Sequence, residues 1–189
     1  MSDNGSHLLD AAKFVCGPIR SIRGAVLSTV VGERPVPLGA VVGHAAAAAV
    51  SDERQPVENE DLVTFSAGFA SGATGTFSAS RVAFGLPNSL GFELFAERGA
   101  ATFDLARAGE FGFADGGPDG ATNGYSQVLI GGPAHPNFAG GMSMDCPGCS
   151  YGQNDLFACQ TRAFLEQIAG FDHLPPCPPF EEGLRASTA

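Results

Sequence analysis

Near the start of the sequence, two carboxylates bracket an imidazole. Asp3 and His7 are four residues apart, and His7 and Asp10 are three apart. On a helix, residues at these spacings are neighbours on one face. An imidazole held between carboxylates is fixed in orientation and is easier to protonate. That is one way to build a general acid/base that works near neutral pH. The same residues also fit a plainer arrangement, in which Asp3 caps a helix and His7 sits solvated in its first turn. Spacing leaves both readings open.

Other residues with chemical potential are scattered. Cys146-Pro147-Gly148-Cys149 is a Cys-x-x-Cys, either a redox pair, half of a metal site or an incidental loop sequence. A thioredoxin-like pair belongs at a strand-to-helix junction in a βαβ unit, which is not evident here. A structural zinc needs two further ligands, and Cys159, Cys177, His135 and His173 do not stand at finger-like spacing. The expectation is therefore no metal site. His135-Pro136, in a glycine-rich stretch, can reach a ligand or lie as plain surface. Arg81, at the end of an apolar run, can bind a carboxylate or phosphate, or pair with a nearby acid. No Gly-x-Gly-x-x-Gly follows a strand and opens a helix, and neither a P-loop nor a nucleophile elbow is present.

The elements that must position these residues follow from periodicity. Asp3, Asn4 and Ser6 are N-cap candidates, and Leu8, Leu9, Ala12, Val15 and Cys16 share a helical face. Gly17-Pro18 ends that helix. Residues 21–31 read as a strand and residues 33–57 as an irregular excursion with an Ala-rich piece that suits a short helix. Residues 62–70 and 74–83 make a hairpin, and residues 90–96 and 101–105 a second one. Strands are also expected at 110–114 and, set apart by glycine-rich turns, at 126–130. Residues 131–152 form a long loop dense in Gly and Pro. Residues 154–168 read as an amphipathic helix, with Leu156, Phe157, Phe164, Leu165 and Ile168 on the inner side and Gln160 and Glu166 outside.

A run of strands with helices at both ends argues for an α+β fold: an open, mostly antiparallel sheet with helices packed on one face. No linker divides residues 1–189, so a single domain is expected. Val26, Val30, Phe65, Phe69 and Phe77 are expected to make the other sheet face apolar enough to bind a second copy of the chain.

The chain has 189 residues, 44% of them hydrophobic, enough for a folded core. Asp and Glu number 20 against 10 Lys and Arg, a net charge of −10. Such a balance repels phosphate backbones and anionic lipid, which argues against nucleic acid and membrane as partners. No apolar run approaches the roughly 18 residues of a membrane span, and the N-terminus lacks the basic and apolar regions of a signal peptide. Five cysteines, an odd number without a dense disulfide frame, fit a reducing cytoplasm.

The order of short motifs carries a resemblance. Asp3-x-Gly5-x-His7-x-x-Asp10 is followed by Glu58-Asn59-Glu60-Asp61 running into Leu62-Val63-Thr64-Phe65. Ser71-Gly72-Ala73-Thr74-Gly75 leads into Ser80-Arg81, and Phe92-Glu93-Leu94-Phe95 precedes Glu97-Arg98-Gly99-Ala100 and Thr102-Phe103-Asp104. His135-Pro136, the helix near 157–168 and Pro179-Phe180-Glu181-Glu182-Gly183-Leu184 complete the series. Together they resemble the C-terminal domain of the glucose–fructose oxidoreductase / inositol dehydrogenase (Gfo/Idh/MocA) family over nearly the whole chain.

The resemblance implies the substrate-binding and oligomerisation part of an NAD(P)-dependent oxidoreductase acting on a sugar or polyol hydroxyl. His7 would take the hydroxyl proton and Asp3 would orient or polarise it. His135 and Arg81 would contact substrate. A homo-oligomer would form through the sheet face. NAD or NADP would serve the full-length enzyme, with none expected to bind this chain alone. The family's Glu-Lys-Pro lysine is absent here, as is the dinucleotide-binding half to which it belongs, so the chain resembles an excised or truncated domain. Without a nicotinamide fixed near His7, the isolated chain is expected to be inactive. The alternative is a stand-alone, non-catalytic binding or assembly domain derived from the same family.

Overall fold

Helix α1 (Ser2–Cys16) carries the carboxylate–imidazole spacing. It ends because Gly17 adopts φ +85°, a left-handed conformation that disfavours side chains, and donates its N–H to the Lys13 carbonyl at 2.9 Å. Asp3, Asn4 and Ser6, expected as caps, all lie inside the helix, which already begins at Ser2. The structure, a computed structural model, describes residues 2–40, 49–86, 88–116, 123–131, 135–137 and 151–187.

The chain forms two compact units, Met1–Gly85 with Phe180–Ala189, and Leu86–Pro179. In the first, β1 (Ile19–Ser28), β4 (Leu62–Phe69) and β5 (Thr74–Ser80) form a sheet in the order β1-β4-β5. Between β1 and β4 the chain makes a separate ribbon, β2 (Glu33–Pro37) with β3 (Val50–Pro56). Residues 33–57 thus contain two strands where an irregular excursion is expected. Their prolines hide them from a propensity reading, yet proline is tolerated at sheet edges. Most of the Ala-rich piece expected to be helical lies outside the described residues.

The core of this unit is the side of the sheet that α1 packs against, through β5. Leu9, Ala67 and Phe69 are buried, and Phe65 stacks on Phe77 with ring centroids 5.0 Å apart. Directly paired residues share a face, so β4 and β5 place Phe65, Phe69 and Phe77 together. Val26 does not join them. The β1–β4 register shifts between Arg23 and Val26, where Gly24 takes φ +63°, and Val26 pairs with Thr64 on the outer face. The five large residues expected on one free face are therefore split. The outer face carries exposed Thr64, Ser66, Thr76 and Ser78 instead, beside a Val26 that is 58% exposed.

In the second unit, β6 (Gly91–Ala96), β7 (Gly99–Asp104), β8 (Glu110–Asp115) and β9 (Ser126–Leu129) form a four-stranded antiparallel meander. Strand β9, expected to stand apart, pairs with β8. Helix α2 (Gln153–Ile168) belongs to this unit and α3 (Phe180–Ser187) to the first. The fold is α+β, and every described strand pairing is antiparallel. The described strands fall into three hydrogen-bonded sheets.

Candidate functional site

Asp3 and His7 both lie within α1, four residues or about one helical turn apart. His7 and Asp10 are exposed. The far end of the helix is anchored. Lys13 Nζ donates to Glu182 Oε2 of α3 at 2.7 Å, and Ser71 Oγ, in the β4–β5 turn, donates to the Cys16 carbonyl at 2.7 Å. The Lys13 hydrogen bond is the leading reason that Glu182 titrates below the usual carboxylate range, and Arg185 adds to it.

Arg81 lies in the same unit and is already engaged. Its Nε donates to Asp61 Oδ1 at 2.8 Å and its Nη2 to Asn59 Oδ1 at 2.8 Å. Arg34 Nη2 reaches the same Asp61 oxygen at 2.8 Å, while the Val30 and Val31 N–H groups donate to Oδ2 at 2.9 and 2.8 Å. Asp61 has no solvent exposure. The Val31 N–H and then Arg81 hold its carboxyl far below the ordinary value, against the opposing effect of burial. Of the two roles open to Arg81 from sequence, the pairing acid is present. Sequence reasoning missed Asp61 as the hub. A carboxylate that opens a strand after an acidic run reads as solvated surface.

His135 belongs to the second unit. Its Nδ1 accepts from the Asn137 N–H at 3.3 Å, and the Asn137 carbonyl accepts from Arg162 Nη1 at 3.2 Å. Arg162 Nε in turn donates to Glu166 Oε1 at 2.7 Å. Helix α2 starts at an N-cap Gly152, whose N–H is taken by the Asp155 carboxylate at 2.8 Å. Its sheltered residues are Asp155, Cys159, Arg162, Ala163 and Glu166, spaced as one helical face. This reverses the sequence reading. Glu166 is sheltered, while Phe157, Phe164, Leu165 and Ile168 are each more than half exposed. The amphipathic period was legible, but the sheltered face is the one that carries Arg162 and Glu166, bonded to each other and, through Arg162, to the Asn137 carbonyl. Burial, and then the Asp155 charge, push the Cys159 thiol up, with Arg162 opposing.

Cys146 and Cys149 lie outside the described residues. Among the described residues, no group of three or more His, Cys, Asp or Glu is arranged to hold a metal ion. No described helix is long and apolar enough to cross a membrane.

A chain of antiparallel sheets and helices, with a histidine four residues after an aspartate on its first helix, belongs to the α+β class. It is a member of the GFO/IDH/MocA C-terminal domain family, which residues 1–102 match. It is 29% identical over 187 residues to levoglucosan dehydrogenase of Pseudarthrobacter phenanthrenivorans (strain DSM 18606 / JCM 16027 / LMG 23796 / Sphe3), covering 99% of this chain and 46% of that enzyme. An oxidoreductase domain protein from Kribbella flavida shares 33% identity at a TM-score of 0.79, over 98% of this chain and 46% of its own. A levoglucosan dehydrogenase structure in complex with NADH and levoglucosan matches at 27% identity and a TM-score of 0.80, over 98% of this chain and 44% of its own. The chain thus spans just under half the length of these relatives.

Proposed function

We propose that residues 1–189 act together as the substrate-binding and oligomerisation part of an NAD(P)-dependent oxidoreductase that works on a sugar or polyol hydroxyl. The observation that carries this reading is the Asp3/His7 spacing on α1, inside the stretch matched to the family. A related enzyme whose structure holds NADH and levoglucosan supports the substrate class. His7 accepts the hydroxyl proton as the alcohol becomes a carbonyl, and Asp3 orients the imidazole or polarises the hydroxyl. His135 contributes a substrate contact. Arg81 pairs with Asp61 and Asn59 through Nε and Nη2, and its remaining guanidinium N–H groups are the proposed substrate contact.

These residues do not fit a dinucleotide. The sequence has no Gly-x-Gly-x-x-Gly, and the described strands include no parallel pair from which a βαβ cradle is built. NAD or NADP is therefore assigned to the full-length enzyme, with none binding this chain alone, and the hydride acceptor lies outside these residues. The outer face of β1-β4-β5 is the proposed homo-oligomer surface. Cys16 and Cys177, which form no disulfide among the described residues, are consistent with the proposed reducing cytoplasm.

The exposed Phe157, Phe164, Leu165 and Ile168 of α2 favour a second reading, a non-catalytic assembly domain that docks on a partner chain. One experiment separates the two. The chain is joined to a nucleotide-binding half of a levoglucosan dehydrogenase and assayed for NAD(P)-dependent oxidation of levoglucosan and other sugars. Turnover that depends on His7 supports the enzyme reading, whereas a folded fusion without turnover supports assembly. Sequencing the DNA ahead of the Met1 codon tests the same point independently.

A further inference from the structure

We propose that Arg34 and Arg81, set side by side on Asp61, form an oxyanion-binding pair, so that the sugar or polyol taken by this domain carries an acidic group, a carboxylate or a phosphate. The substrate half of this inference rests on the reading proposed above, in which Arg81 contacts a sugar or polyol.

The pair is built on one buried oxygen. Arg34 Nη2 and Arg81 Nε both donate to Asp61 Oδ1 at 2.8 Å, which brings the two guanidinium groups together. The Val30 and Val31 N–H groups occupy Oδ2. One negative charge, sealed from solvent, thus faces two positive ones. Like charges this close repel. In a chain with 20 acidic residues against 10 basic ones, a second acid is readily supplied. Among the described residues, however, neither guanidinium has an ion pair besides Asp61, not even with Glu58 or Glu60 beside Asn59.

Holding the β2–β3 ribbon to the sheet does not account for the second charge. A neutral donor would also satisfy Asp61 Oδ1, and the root of the ribbon is closed by the Val57 N–H, which donates to the Gly32 carbonyl at 2.9 Å. What the second charge adds is donor capacity within reach of solvent. Asp61 and Asn59 take Nε and Nη2 of Arg81, which fixes its plane along one edge and leaves its Nη1 without a partner among the described residues. Arg34 keeps Nε and Nη1 in the same way. The Arg34 side chain is 44% exposed and that of Arg81 28%, so an incoming group can reach both. A planar guanidinium grips a carboxylate or phosphate through paired, charge-assisted hydrogen bonds, whereas a neutral hydroxyl makes no use of the charge. The helix that carries His7 packs against β5, the strand that ends just before Arg81.

The test is isothermal titration calorimetry on the 189-residue chain. The probes are glucuronate, glucose-6-phosphate and glucose, with acetate and inorganic phosphate as anions that carry no sugar. At least one acidic sugar is expected to bind roughly tenfold or more tightly than glucose, the scale of a charge-assisted hydrogen bond, and the gap is expected to narrow at high salt. Glucuronate ahead of glucose-6-phosphate assigns a carboxylate, and the reverse order a phosphate. Arg34→Gln, which keeps a neutral donor for Asp61, is expected to remove the gap. Glucose bound by the wild-type chain as tightly as both acidic sugars overturns the proposal and leaves the sugar reading intact. That comparison needs no variant, so it decides the matter even where Arg34→Gln fails to fold. A gap that persists in folded Arg34→Gln also overturns the pair. Acetate or phosphate bound in an Arg34-dependent way, with no sugar bound, keeps the oxyanion pair and removes the sugar half. No binding of any probe overturns the pair itself.

Discussion

Arg81 and Asp61 form an ion pair of 2.8 Å around a carboxylate that solvent does not reach. The pair ties the end of β5 to the β1–β2 connection, because the same carboxylate accepts from Val30, Val31 and Arg34. Arg81→Ala leaves a buried charge with fewer partners. It is expected to lower the melting temperature by roughly 5–15 °C, the scale for breaking a buried pair in a domain of this size. Arg81→Lys should recover only part of this, since one ammonium cannot serve both Asp61 and Asn59. Calorimetry on the two variants checks the order.

The same hub predicts a pH dependence. The folded-state value of Asp61 lies below its unfolded value, ordinarily near 3.9. Its contribution is therefore fully present above the unfolded value and is lost as pH falls toward the folded one, in strong acid. Glu182, lowered by Lys13, acts in the same direction with a smaller share because it is more exposed. Asp61→Asn should flatten the acid side of a melting-temperature profile taken below about pH 4. An unchanged acid slope would assign the acid sensitivity to other carboxylates.

His7 gives the functional prediction. The isolated chain is expected to show no NAD(P)-dependent oxidation of any polyol. In the fusion with a nucleotide-binding half, His7→Ala should lower turnover by roughly 10²–10⁴, the usual scale for a lost general base. Asp3→Asn should cost less if Asp3 only orients or polarises. Steady-state kinetics, with folding followed by circular dichroism, reads both. Near wild-type turnover in His7→Ala would leave the residue as a solvated part of α1.

The Cys146/Cys149 pair is expected to bind no stoichiometric zinc. Elemental analysis of the purified protein settles this. About one zinc per chain, lost in Cys146→Ser, would mark a metal site after all.

Self-association is expected to use the outer face of β1-β4-β5. Val26→Asp or Thr64→Lys places a charge there without touching the aromatic core. Either should shift light scattering at high concentration toward the monomer. A chain that is monomeric without any substitution refutes the claim directly.

The strands of the two hairpins were legible because their alternation and glycine turns are local signals. Helix α1 was legible through Gly17, whose left-handed φ is what its position after an apolar face demands. The facing of β1 was not, since Gly24 shifts the register and moves Val26 to the opposite side from Phe65. Nothing in a two-residue alternation announces a bulge of that kind. The hydrogen-bonded frames around Asp61 and Arg162 were illegible for another reason. Asp61 and Arg81 are 20 residues apart, Asn137 and Arg162 are 25 apart, and only the folded chain joins them.

Helix α3 returns to α1 after the whole of the second unit has been spelled out, and Lys13 meets Glu182 across 169 positions. On a ribosome adding 5–20 residues each second, the lysine emerges roughly 10–30 s before its partner is made. The β4–β5 hairpin can zip within microseconds, long before that, whereas the α1–α3 contact must wait for the last turns of synthesis. Until then the helix bearing His7 lacks one of its anchors, and a chaperone that shields exposed Phe14 would have that interval in which to act.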